Sequence, residues 1–379
     1  MAAASLAAVT VAVESVAVFR VGVTTSPPRL RIGILGAGPI AQFAHFDAVR
    51  KSRNAELYAI CDVAPDLLTR MADLHQPRTT FADYDAMLAD PRVDAVIIAT
   101  ADAFHVPAAL RAIAAGKHVL VEKPLGISVE EVLTLRDAVD ATDQVLQVGH
   151  MKRFDPGIRF ARDFIRDEIG ALVALKAWYA DSAYRYTMTD ALQPIPVRSS
   201  AARMPAVNPK EDRQQYYMLT HGSHLIDTAQ FLGGAIASVD AQHVERSGMH
   251  CWFVAATFAD GSVGHLDLTV AVHMDWHEGV QVYGTHGSVI GRTYLPWQFR
   301  SSDVECFSAR DRQFHRPLGE DAQFFRRQIE GFADTVLSGA PQEGATANDG
   351  LATTRVMVAI ARSAAGAGRV VVAGVTGAV

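Results

Sequence analysis

Short apolar runs alternate with segments of helical periodicity between Arg31 and His150. The apolar runs read RIGILG, ELYAICD, VDAVIIAT, HVLVEK and VLQVGH. In the intervening segments, among them 106–115 and 129–141, apolar residues recur at helical spacing. Because strands that alternate with helices connect through right-handed crossovers, the pattern predicts an α/β fold with a doubly wound parallel sheet. Such a sheet binds ligands at the carboxyl ends of its strands.

A glycine-rich break follows the first apolar run, at the predicted start of a helix. Gly36 and Gly38 allow the backbone to approach a ligand closely, and Pro39 and Ile40 begin a helix whose N–H groups would face a pyrophosphate. A tight turn between a strand and a helix could use the same residues without binding anything. In the context of a doubly wound sheet, these four residues are predicted to bind a dinucleotide.

Asp62 closes the next apolar run, where a dinucleotide-binding fold places an acidic residue. A carboxylate at this position accepts hydrogen bonds from both hydroxyls of the adenine ribose and repels the 2′-phosphate of NADP. It therefore favours NAD as the cofactor, and NADP is the weaker candidate. Asp62 could also cap the helix that begins at Ala64-Pro65, and both interpretations stay open at this point.

The composition argues against several classes of partner and site. The chain has 379 residues, of which 49% are hydrophobic and 20% charged, and its net charge is −6. This length predicts roughly two domains, and the negative net charge argues against binding to nucleic acid. The three cysteines, Cys61, Cys251 and Cys306, have no CxxC spacing. They predict neither a disulfide framework nor a thiolate metal site, and they are typical of a reducing compartment.

An Ala/Val-rich stretch precedes the first apolar run and ends in Ser-Pro-Pro. It has no basic n-region, Glu14 interrupts its apolar residues, and it is too short for the roughly 20 residues that span a bilayer. We therefore expect residues 1–29 to be a flexible extension or a misassigned start. We also expect a cytoplasmic protein without a membrane partner.

Three stretches of the sequence carry a resemblance to a known family. They read ATADAFHVPAALRAIAAGKHVLVEKPLG at 99–126, GSHLID at 222–227, and FFRRQIEGFADTVLSG at 324–339. On these stretches the chain resembles the family of glucose-fructose oxidoreductase, inositol dehydrogenase and MocA, from about Arg31 to Val372. Members of this family oxidise or reduce a hydroxyl of a sugar, a cyclitol or a related polyol with NAD(P).

The resemblance implies a domain organisation. Residues 30–150 would form a Rossmann domain, and residues 151–379 would form an α+β domain with an open, mostly antiparallel sheet. That sheet would bind substrate and contribute to an oligomer contact, in a homodimer or homotetramer. Independently of the resemblance, Asp260-Gly261 between alternating apolar positions predicts a β-hairpin, which agrees with an antiparallel sheet.

The triplet Glu122-Lys123-Pro124 follows a predicted strand at the sheet edge where a nicotinamide would lie. An ammonium there can hydrogen-bond the reacting oxygen and offset its negative charge, although Lys123 could also be an ordinary solvated lysine. The resemblance implies that Lys123 is catalytic and that the peptide bond before Pro124 is cis. It also assigns Thr100, His105, Glu122 and Lys123 to the cofactor site.

His221 and His224 are three residues apart, so they share one face if the segment is helical. An imidazole, with an ordinary pKa of about 6.5, can take the proton that leaves an alcohol oxygen. The resemblance makes His224 the catalytic histidine, which acts as general base in oxidation and as general acid in reduction. A metal site is not expected, because no third ligand stands at a suitable spacing.

Thr220 departs from the family pattern, because many relatives carry an aspartate at this position. His221 could take over its contact with the substrate, or the carboxylate of Glu211 or Asp212 could reach into the site. Asp227 could orient the ring of the catalytic histidine or be structural. The predicted catalytic residues are Lys123, His224 and His221, and the predicted substrate contacts are Arg153, Thr220, His221 and His224.

Further residues could contact the substrate. Lys152 and Arg153 follow the last predicted strand of the parallel sheet, where the resemblance implies a basic residue facing the site, although a solvated basic pair fits equally well. The long connection 181–217 is typical of a lid or a binding loop. His273 and Trp276 lie between two later strands and could stack on a sugar ring. The candidates within the connection are Tyr184, Tyr186, Arg198, Arg203 and Lys210.

Together these features predict an NAD-dependent oxidoreductase that transfers hydride between nicotinamide and a secondary hydroxyl or ketone of a sugar, glycoside or inositol. One alternative keeps NAD bound, as in redox-assisted glycoside cleavage or aldose-to-aldose transfer. Another alternative is a sensor that binds NAD without catalysis. The presence of Lys123 and His224 argues against a sensor, whereas Thr220 in place of an acid argues for it.

Overall fold

The computed structural model describes residues 28–184, 195–206 and 211–379. Within these ranges the chain forms a parallel six-stranded sheet and a mixed nine-stranded sheet, with helices packed on both. This architecture confirms the predicted α/β class, with a doubly wound sheet followed by a largely antiparallel one. Two of the loop candidates, Tyr186 and Lys210, lie outside the described residues.

The apolar runs of the N-terminal region form the parallel sheet. Its strands are β1 (Leu30–Leu35), β2 (Ala55–Cys61), β3 (Thr79–Phe81), β4 (Ala95–Ile98), β5 (His118–Val121) and β6 (Leu146–Val148). They lie in the order β3-β2-β1-β4-β5-β6, which is the order of a dinucleotide-binding Rossmann sheet. Ile32, Ile34 and Ile97 are fully buried, because helices cover both faces of the central strands.

The helices on this sheet begin at residues that favour a helix start. They are α1 (Phe46–Lys51), α2 (Pro65–His75), α3 (Tyr84–Ala89), α4 (His105–Ala114) and α5 (Val129–Asp140). Ser128 and Glu131 form a capping box at the start of α5. Asp83 caps α3 by accepting a hydrogen bond from the backbone N–H of Ala86. Pro65 occupies the first position of α2, where its missing N–H breaks no helical hydrogen bond.

The second sheet contains the later strands of the chain. They are β7 (Leu172–Ser182), β8 (Ile236–Arg246), β9 (Met249–Phe258), β10 (Val263–Val272), β11 (His277–Gly284), β12 (Gly287–Thr293), β13 (Asp303–Ser308), β14 (Gln313–His315) and β15 (Val370–Val371). Their order is β14-β13-β12-β11-β7-β10-β9-β8-β15, and of the neighbouring pairs only β7 and β10 are parallel. The predicted hairpin is confirmed, since β9 and β10 pair antiparallel around Asp260 and Gly261. Gly261 has a φ of 89°, which favours glycine.

The remaining helices are α6 (Pro156–Asp167), α7 (Arg213–Tyr217), α8 (Ser223–Gly233), α9 (Phe324–Ser338) and α10 (Ala347–Arg362). The last two return to the first sheet. α9 packs against α1 and places Phe324 and Phe332 in the same apolar cluster as Ile32 and Ile34. α10 packs against both α5 and α8. C-terminal residues therefore help to close the core of the first sheet, and the division of the chain at residue 150 stays a prediction.

The second sheet exposes apolar side chains on the face opposite its buried positions. Trp252 and Val254 on β9 are buried, whereas Phe253 between them is 50% exposed. Val263 on β10 and Ile290 on β12 are 56% and 46% exposed. An exposed apolar surface of this kind often marks a protein–protein contact. The predicted homodimer or homotetramer, which remains a prediction, would use this face.

We predict that Phe253→Asp and Ile290→Asp weaken self-association, because each places a carboxylate in an apolar contact. Sedimentation velocity of the wild type and both variants measures the effect. Leu74→Asp is the matched control, since Leu74 is 58% exposed on α2 and lies away from this face. A monomeric wild type, or variants that associate as the wild type does, would contradict the prediction.

Candidate active site

The turn between β1 and the following helix requires glycine at its first position. Gly36 has a φ of 91°, and a Cβ there would lie 2.9 Å from the Ala99 carbonyl oxygen. A Cβ on Gly38 would meet no atom within 4 Å, so the space in front of the helix start is open. Beside the turn, the buried Thr100 Oγ1 has no hydrogen-bond partner among the described residues. This open space and orphaned hydroxyl fit the phosphate groups of a dinucleotide.

The helix after this turn is not the regular helix that the sequence predicts. Pro39 is exposed at its start, and the next residues, Ala41–His45, form a π-helical turn before α1. The turn directs His45 into the interior, where its Nε2 lies 2.9 Å from Glu122 Oε1. Ile40 lines the cavity described below. Such π-helical turns are frequent at functional sites.

Asp62 braces the glycine turn and the start of α2. Its Oδ2 accepts a hydrogen bond from the Ala37 N–H at 2.7 Å, and its Oδ1 accepts one from the Ala64 N–H at 2.8 Å. Asp62 does not cap α2, whose N-cap is Ala64 and which has no side-chain cap hydrogen bond; its carboxylate instead fixes the turn just before the helix. Each carboxylate oxygen keeps a further lone pair, so the contact with ribose hydroxyls stays a prediction.

The Glu122-Lys123-Pro124 triplet leaves the end of β5 with the expected cis peptide bond between Lys123 and Pro124. Burial alone would raise the pKa of Glu122, but the hydrogen bond from His45 and the nearby charges of His45 and Lys123 hold it below its ordinary value. Lys123 donates from Nζ to the carbonyl oxygen of Thr220 at 3.4 Å. The lysine is thus held at the end of the parallel sheet and points toward the segment that carries the two histidines.

His105 connects two loops at the carboxyl end of the first sheet, the loop after β4 and the loop after β5. We call this end of the sheet the cofactor edge. Its Nδ1 is 2.7 Å from the Pro124 carbonyl oxygen, and its Nε2 is 3.1 Å from the Thr100 carbonyl oxygen. The ring is buried and does not line the cavity described below. Its geometry is that of a residue that holds the lysine loop beside Thr100. Direct contact between His105 and a cofactor stays a prediction.

A cavity of about 220 Å³ lies between the two sheets and brings distant parts of the chain together. It is lined by Lys123, which follows β5, and by Thr220, His221 and His224, which lie just before and at the start of α8. The sequence prediction that these residues converge therefore agrees with their placement, while their roles stay predictions. The other lining residues are Ile40, Glu122, Met151, Lys152, Tyr179, Tyr216, Trp276, Leu295, Pro296, Trp297 and Phe325.

His224 is buried in the cavity wall, at the first turn of α8. Its ring stacks on Tyr179, with 6.2 Å between centroids and 2° between planes. Burial, together with the positive charges of Lys123 and Lys152, lowers the pKa of His224 well below its ordinary value. No other described residue forms a hydrogen bond with the ring. The imidazole is therefore neutral at pH 7 and able to accept a proton.

The basic pair after β6 separates into two roles. Arg153 was predicted to contact substrate, but it does not line the cavity, because Asp227 and Asp349 occupy its guanidinium. Asp227 accepts hydrogen bonds from Arg153 Nε at 3.1 Å and from Nη2 at 2.7 Å. It therefore pairs with the arginine rather than orienting the ring of His224. Neither member of the basic pair is solvated, since Lys152 and Arg153 are both buried.

Lys152 lines the cavity, whereas Arg153 does not. Its ammonium lies 4.5 Å from the centre of the Tyr179 ring and pairs with Glu278 on β11. Burial lowers the pKa of Lys152 and raises the pKa of Glu278, because it penalises both charged forms. Sequence reasoning did not identify Glu278, whose partner Lys152 lies in the distant segment after β6.

His221 is held at both ring nitrogens. Nδ1 lies 2.7 Å from Thr220 Oγ1, and Nε2 lies 2.7 Å from Asp181 Oδ2 on β7. The carboxylates considered from the sequence do not reach the site, since Glu211 is exposed and Asp212 caps α7 through the Gln215 N–H. Sequence reasoning missed Asp181. The alternation of side chains along a strand could have indicated Asp181, because it places this residue on the same face of β7 as the buried Tyr179.

Of the remaining candidates that the structure describes, only Trp276 lines the cavity. Its buried Nε1 has no hydrogen-bond partner among the described residues. Tyr184 is exposed, and its hydroxyl lies 3.1 Å from His273 Nδ1. Arg203 lies over the Phe104 ring at 5.1 Å. Arg198 lies outside the cavity wall too.

A short segment of the long connection, residues 195–206, lies across the cofactor edge of the first sheet. The Gln42 amide donates to the Ala37 carbonyl at 2.8 Å and to the Val197 carbonyl at 2.9 Å. The Val197 N–H donates back to Gln42 Oε1 at 2.9 Å. The Ser199 hydroxyl donates to Asp66 Oδ1 at 2.7 Å, at the start of α2. We call this segment the strap.

Other classes of site have little support in the described ranges. Within 28–184, 195–206 and 211–379, no group of three or more His, Cys, Asp or Glu side chains is arranged to hold a metal ion. No helix in those ranges is both long and apolar enough to cross a bilayer. All three cysteines are free thiols.

Two family models match the chain. A model of an oxidoreductase family with an NAD-binding Rossmann fold matches residues 30–150. A model of the GFO/IDH/MocA C-terminal domain matches residues 161–290. The two matched regions follow each other in the order of the two sheets, and together they cover most of the chain.

Individual proteins are similar over most of their length. The uncharacterized oxidoreductase YrbE of Bacillus subtilis (strain 168) is 28% identical over 341 residues, which cover 88% of this chain and 94% of that protein. Myo-inositol 2-dehydrogenase of Thermotoga maritima is 25% identical over 261 residues, 69% of this chain and 74% of that protein. A solved structure of levoglucosan dehydrogenase in complex with NADH and levoglucosan superposes with a TM-score of 0.75 at 20% identity, covering 92% and 100% of the two chains. This last likeness shows a shared fold.

Proposed function

The chain belongs to the GFO/IDH/MocA oxidoreductase family, and we propose that it is an NAD-dependent dehydrogenase for a secondary hydroxyl of a sugar, glycoside or inositol. The observation that carries the proposal is the convergence of Lys123 and His224 on one cavity beside the cofactor edge. The names of two similar proteins, a myo-inositol dehydrogenase and a levoglucosan dehydrogenase, support this substrate class.

Bound at the glycine turn, NAD would supply the hydride acceptor for oxidation, and NADH the hydride donor for reduction. Gly36 and Gly38 leave room for its phosphates, and the unpartnered Thr100 hydroxyl offers a hydrogen bond there. Asp62 would accept hydrogen bonds from the adenine ribose, which favours NAD over NADP. In this proposal His105 and Glu122 hold the edge on which the cofactor lies, through Pro124 and His45.

Lys123 stabilises negative charge on the reacting oxygen. One hydrogen of its ammonium goes to the Thr220 carbonyl, and the other two are available for the substrate. A donor aimed at an oxygen that gains negative charge lowers the barrier more in a buried site than in water. The ammonium therefore favours the alkoxide-like state through which the hydroxyl must pass.

His224 moves the hydroxyl proton. A ring that burial and two nearby ammonium groups keep neutral can accept a proton from the alcohol in oxidation. In reduction it must first be protonated, and then it acts as the acid. The stacked Tyr179 ring holds the plane of the imidazole without occupying its nitrogens.

The cavity wall suits a ring that carries several hydroxyls. Trp276 and Trp297 offer apolar aromatic surface of the kind that packs against the C–H face of a sugar. Lys152, Thr220 and His221 add polar groups around it, which can select the hydroxyl pattern. In this proposal Lys152 takes the substrate contact predicted for Arg153.

We predict that Lys123→Ala lowers kcat for NADH formation by about 10²- to 10³-fold, the usual cost of losing one donor to a developing oxyanion. Binding of NAD, followed by fluorescence titration, is expected to change little. Lys176→Ala, at an exposed lysine of β7, is the matched control and should keep full activity. Full turnover by Lys123→Ala would contradict the role. Tight NAD binding with no turnover of any sugar, glycoside or inositol would favour the sensor.

We predict that the acid limb of kcat for oxidation lies below pH 6.5, because the pKa of His224 is lowered and the ring must be neutral to accept a proton. For reduction the sign reverses, and the rate should fall as pH rises above that lowered pKa. Steady-state rates between pH 4.5 and 9 on the wild type, His224→Ala and the exposed control His286→Ala measure this. An acid limb above pH 6.5, or one that His224→Ala retains, would contradict the assignment.

A second candidate keeps the cofactor bound between turnovers, as in redox-assisted glycoside cleavage or aldose-to-aldose transfer. The strap supports this candidate. Gln42 bonds both Val197 of the strap and Ala37 of the glycine turn, and Ser199 of the strap bonds Asp66 at the start of α2. A dinucleotide that lies along this edge would leave only after those contacts open. Slow exchange of the cofactor is the property that both forms of this candidate require.

We predict that Ser199→Ala speeds the release of NADH by about fivefold and Gln42→Ala by about thirtyfold, since they remove one and two strap hydrogen bonds worth about 1 kcal/mol each. Stopped-flow fluorescence measures release, and intact mass of the purified protein measures retained cofactor. Gln76→Ala is the control, because the Gln76 amide bonds only within its own helix end at Ala72 and Asp73. Rapid release from the wild type, unchanged in both strap variants, would leave simple NADH exchange as the mode of action.

A further inference from the structure

Asp181 lies behind the part of the cavity wall that His221 forms. The two side chains are joined at Oδ2 and Nε2 over 2.7 Å, and His221 Nδ1 is 2.7 Å from Thr220 Oγ1. The Thr220 hydroxyl lies 2.7 Å from the Tyr216 carbonyl oxygen and donates to it. His221 and Thr220 line the cavity, whereas Asp181 is 6% exposed and is not part of the wall. The Asp181 carboxylate is thus connected to the cavity wall through the His221 ring and the Thr220 hydroxyl.

We propose that Asp181 is a positioning residue, which holds His221 in one orientation with a hydrogen on each ring nitrogen. His221 then presents a fixed, positively charged ring to the cavity, and His224 alone moves the proton. The first statement follows from the geometry, and the second rests on the proposed function. The site therefore contains a carboxylate that serves it, although residue 220 is a threonine.

A count of hydrogens leads to this assignment. A threonine hydroxyl has one hydrogen, and that of Thr220 goes to the Tyr216 carbonyl. The hydrogen between Thr220 Oγ1 and His221 Nδ1 must then come from the ring. Since a carboxylate only accepts, the hydrogen between Asp181 and Nε2 comes from the ring as well. His221 is an imidazolium opposite a carboxylate, and the pair as a whole is neutral.

The surroundings of His221 keep its ring in place. The Tyr179 and Tyr217 rings pack against it in T-shaped contacts, at 5.6 Å between centroids and with interplanar angles of 78° and 67°. Two charged groups of the described residues lie next to this ring: the Lys123 ammonium, which bonds the Thr220 carbonyl, and the Asp181 carboxylate at Nε2. Each ring nitrogen has an oxygen at hydrogen-bond distance and two tyrosine rings pack against the imidazole, so it cannot rotate without losing several contacts.

The two histidines are therefore suited to different work. His224 is stacked on Tyr179, and no described side chain holds its ring nitrogens, so they can reach a substrate proton. Each nitrogen of His221 already has an oxygen at hydrogen-bond distance. A positive charge on His221 also helps to keep His224 neutral, as it is one of the charges that lower the pKa of His224. Asp181 supports this division of roles without touching the substrate.

The first test reads the ring directly and needs no substrate. Two-bond ¹H–¹⁵N spectra of ¹⁵N-histidine-labelled protein at pH 7 should show hydrogens on both nitrogens of His221, assigned by loss of the signal in His221→Gln. In Asp181→Asn, one of the two nitrogens should lose its hydrogen. A wild-type spectrum with one hydrogen on the ring, or a spectrum that Asp181→Asn leaves unchanged, would overturn the proposal even if no substrate is ever found.

The second test uses turnover on a confirmed substrate. Asp181→Asn should lower kcat about ten- to hundredfold, as expected when a group beside the reacting atoms is misplaced, with NAD affinity unchanged. Asp181→Glu, which restores the carboxylate, should recover part of the rate. Asp267→Asn is the matched control, because this strand aspartate of β10 bonds Thr269 and does not line the cavity.

The outcomes separate this inference from the proposed function. Full activity in Asp181→Asn together with loss of activity in Lys123→Ala would overturn the positioning role and leave the dehydrogenase intact. Unchanged activity in Lys123→Ala together with the expected His221 spectra would overturn the dehydrogenase chemistry and leave the placement of His221 by Asp181 intact. Equal losses in Asp181→Asn and Asp181→Glu with unaltered His221 spectra would show a purely structural aspartate and overturn the proposal.

Discussion

The buried ion pair between Arg153 and Asp227 sets the relation between the two parts of the candidate site. Arg153 lies in the segment that leaves β6, and Asp227 lies on α8, three residues after His224. Removing Arg153 would leave the buried Asp227 carboxylate without this counter-ion, a change that typically costs about 3–5 kcal/mol. The pair therefore holds α8 against the parallel sheet, and with it the His224 ring relative to Lys123. The geometry of the proposed active site therefore depends on residues that take no part in the proposed chemistry.

Burial gives the cavity two properties at once. It strengthens the field of the Lys123 ammonium at a reacting oxygen, and it lowers the pKa of His224, so that the ring is a neutral base beside a cation. Lys152 adds to this effect, while Glu278 behind it limits the cost of burying a second ammonium. An oxygen that loses a proton in this cavity meets an acceptor for the proton and a donor for the remaining charge. The burial that makes these ions costly also strengthens their interaction with a reacting group.

Local patterns predicted the local structure well. The apolar runs became the strands of the first sheet, and Asp260-Gly261 became a hairpin turn, since periodicity and turn chemistry act between near neighbours. The cis bond before Pro124 and the meeting of Lys123 with His224 followed from resemblance to a family, not from spacing. Arg153 shows the limit, because a basic residue after a strand looks the same whether it faces substrate or an aspartate on another helix. The π-helical turn at Ala41–His45 was equally invisible to a helical pattern.

The sequence by itself determined the order of strands and helices, the glycine turn and the kinds of group available for chemistry. Only the tertiary structure decided which carboxylate serves which cation: Asp181 with His221, Glu278 with Lys152, and Asp227 with Arg153. Each of these pairs joins residues far apart in the chain. Hydrophobic periodicity depends on neighbours within a turn or two, whereas the partner of a buried charge depends on which elements pack together. That choice is made when the two sheets and the helices between them close around the cavity.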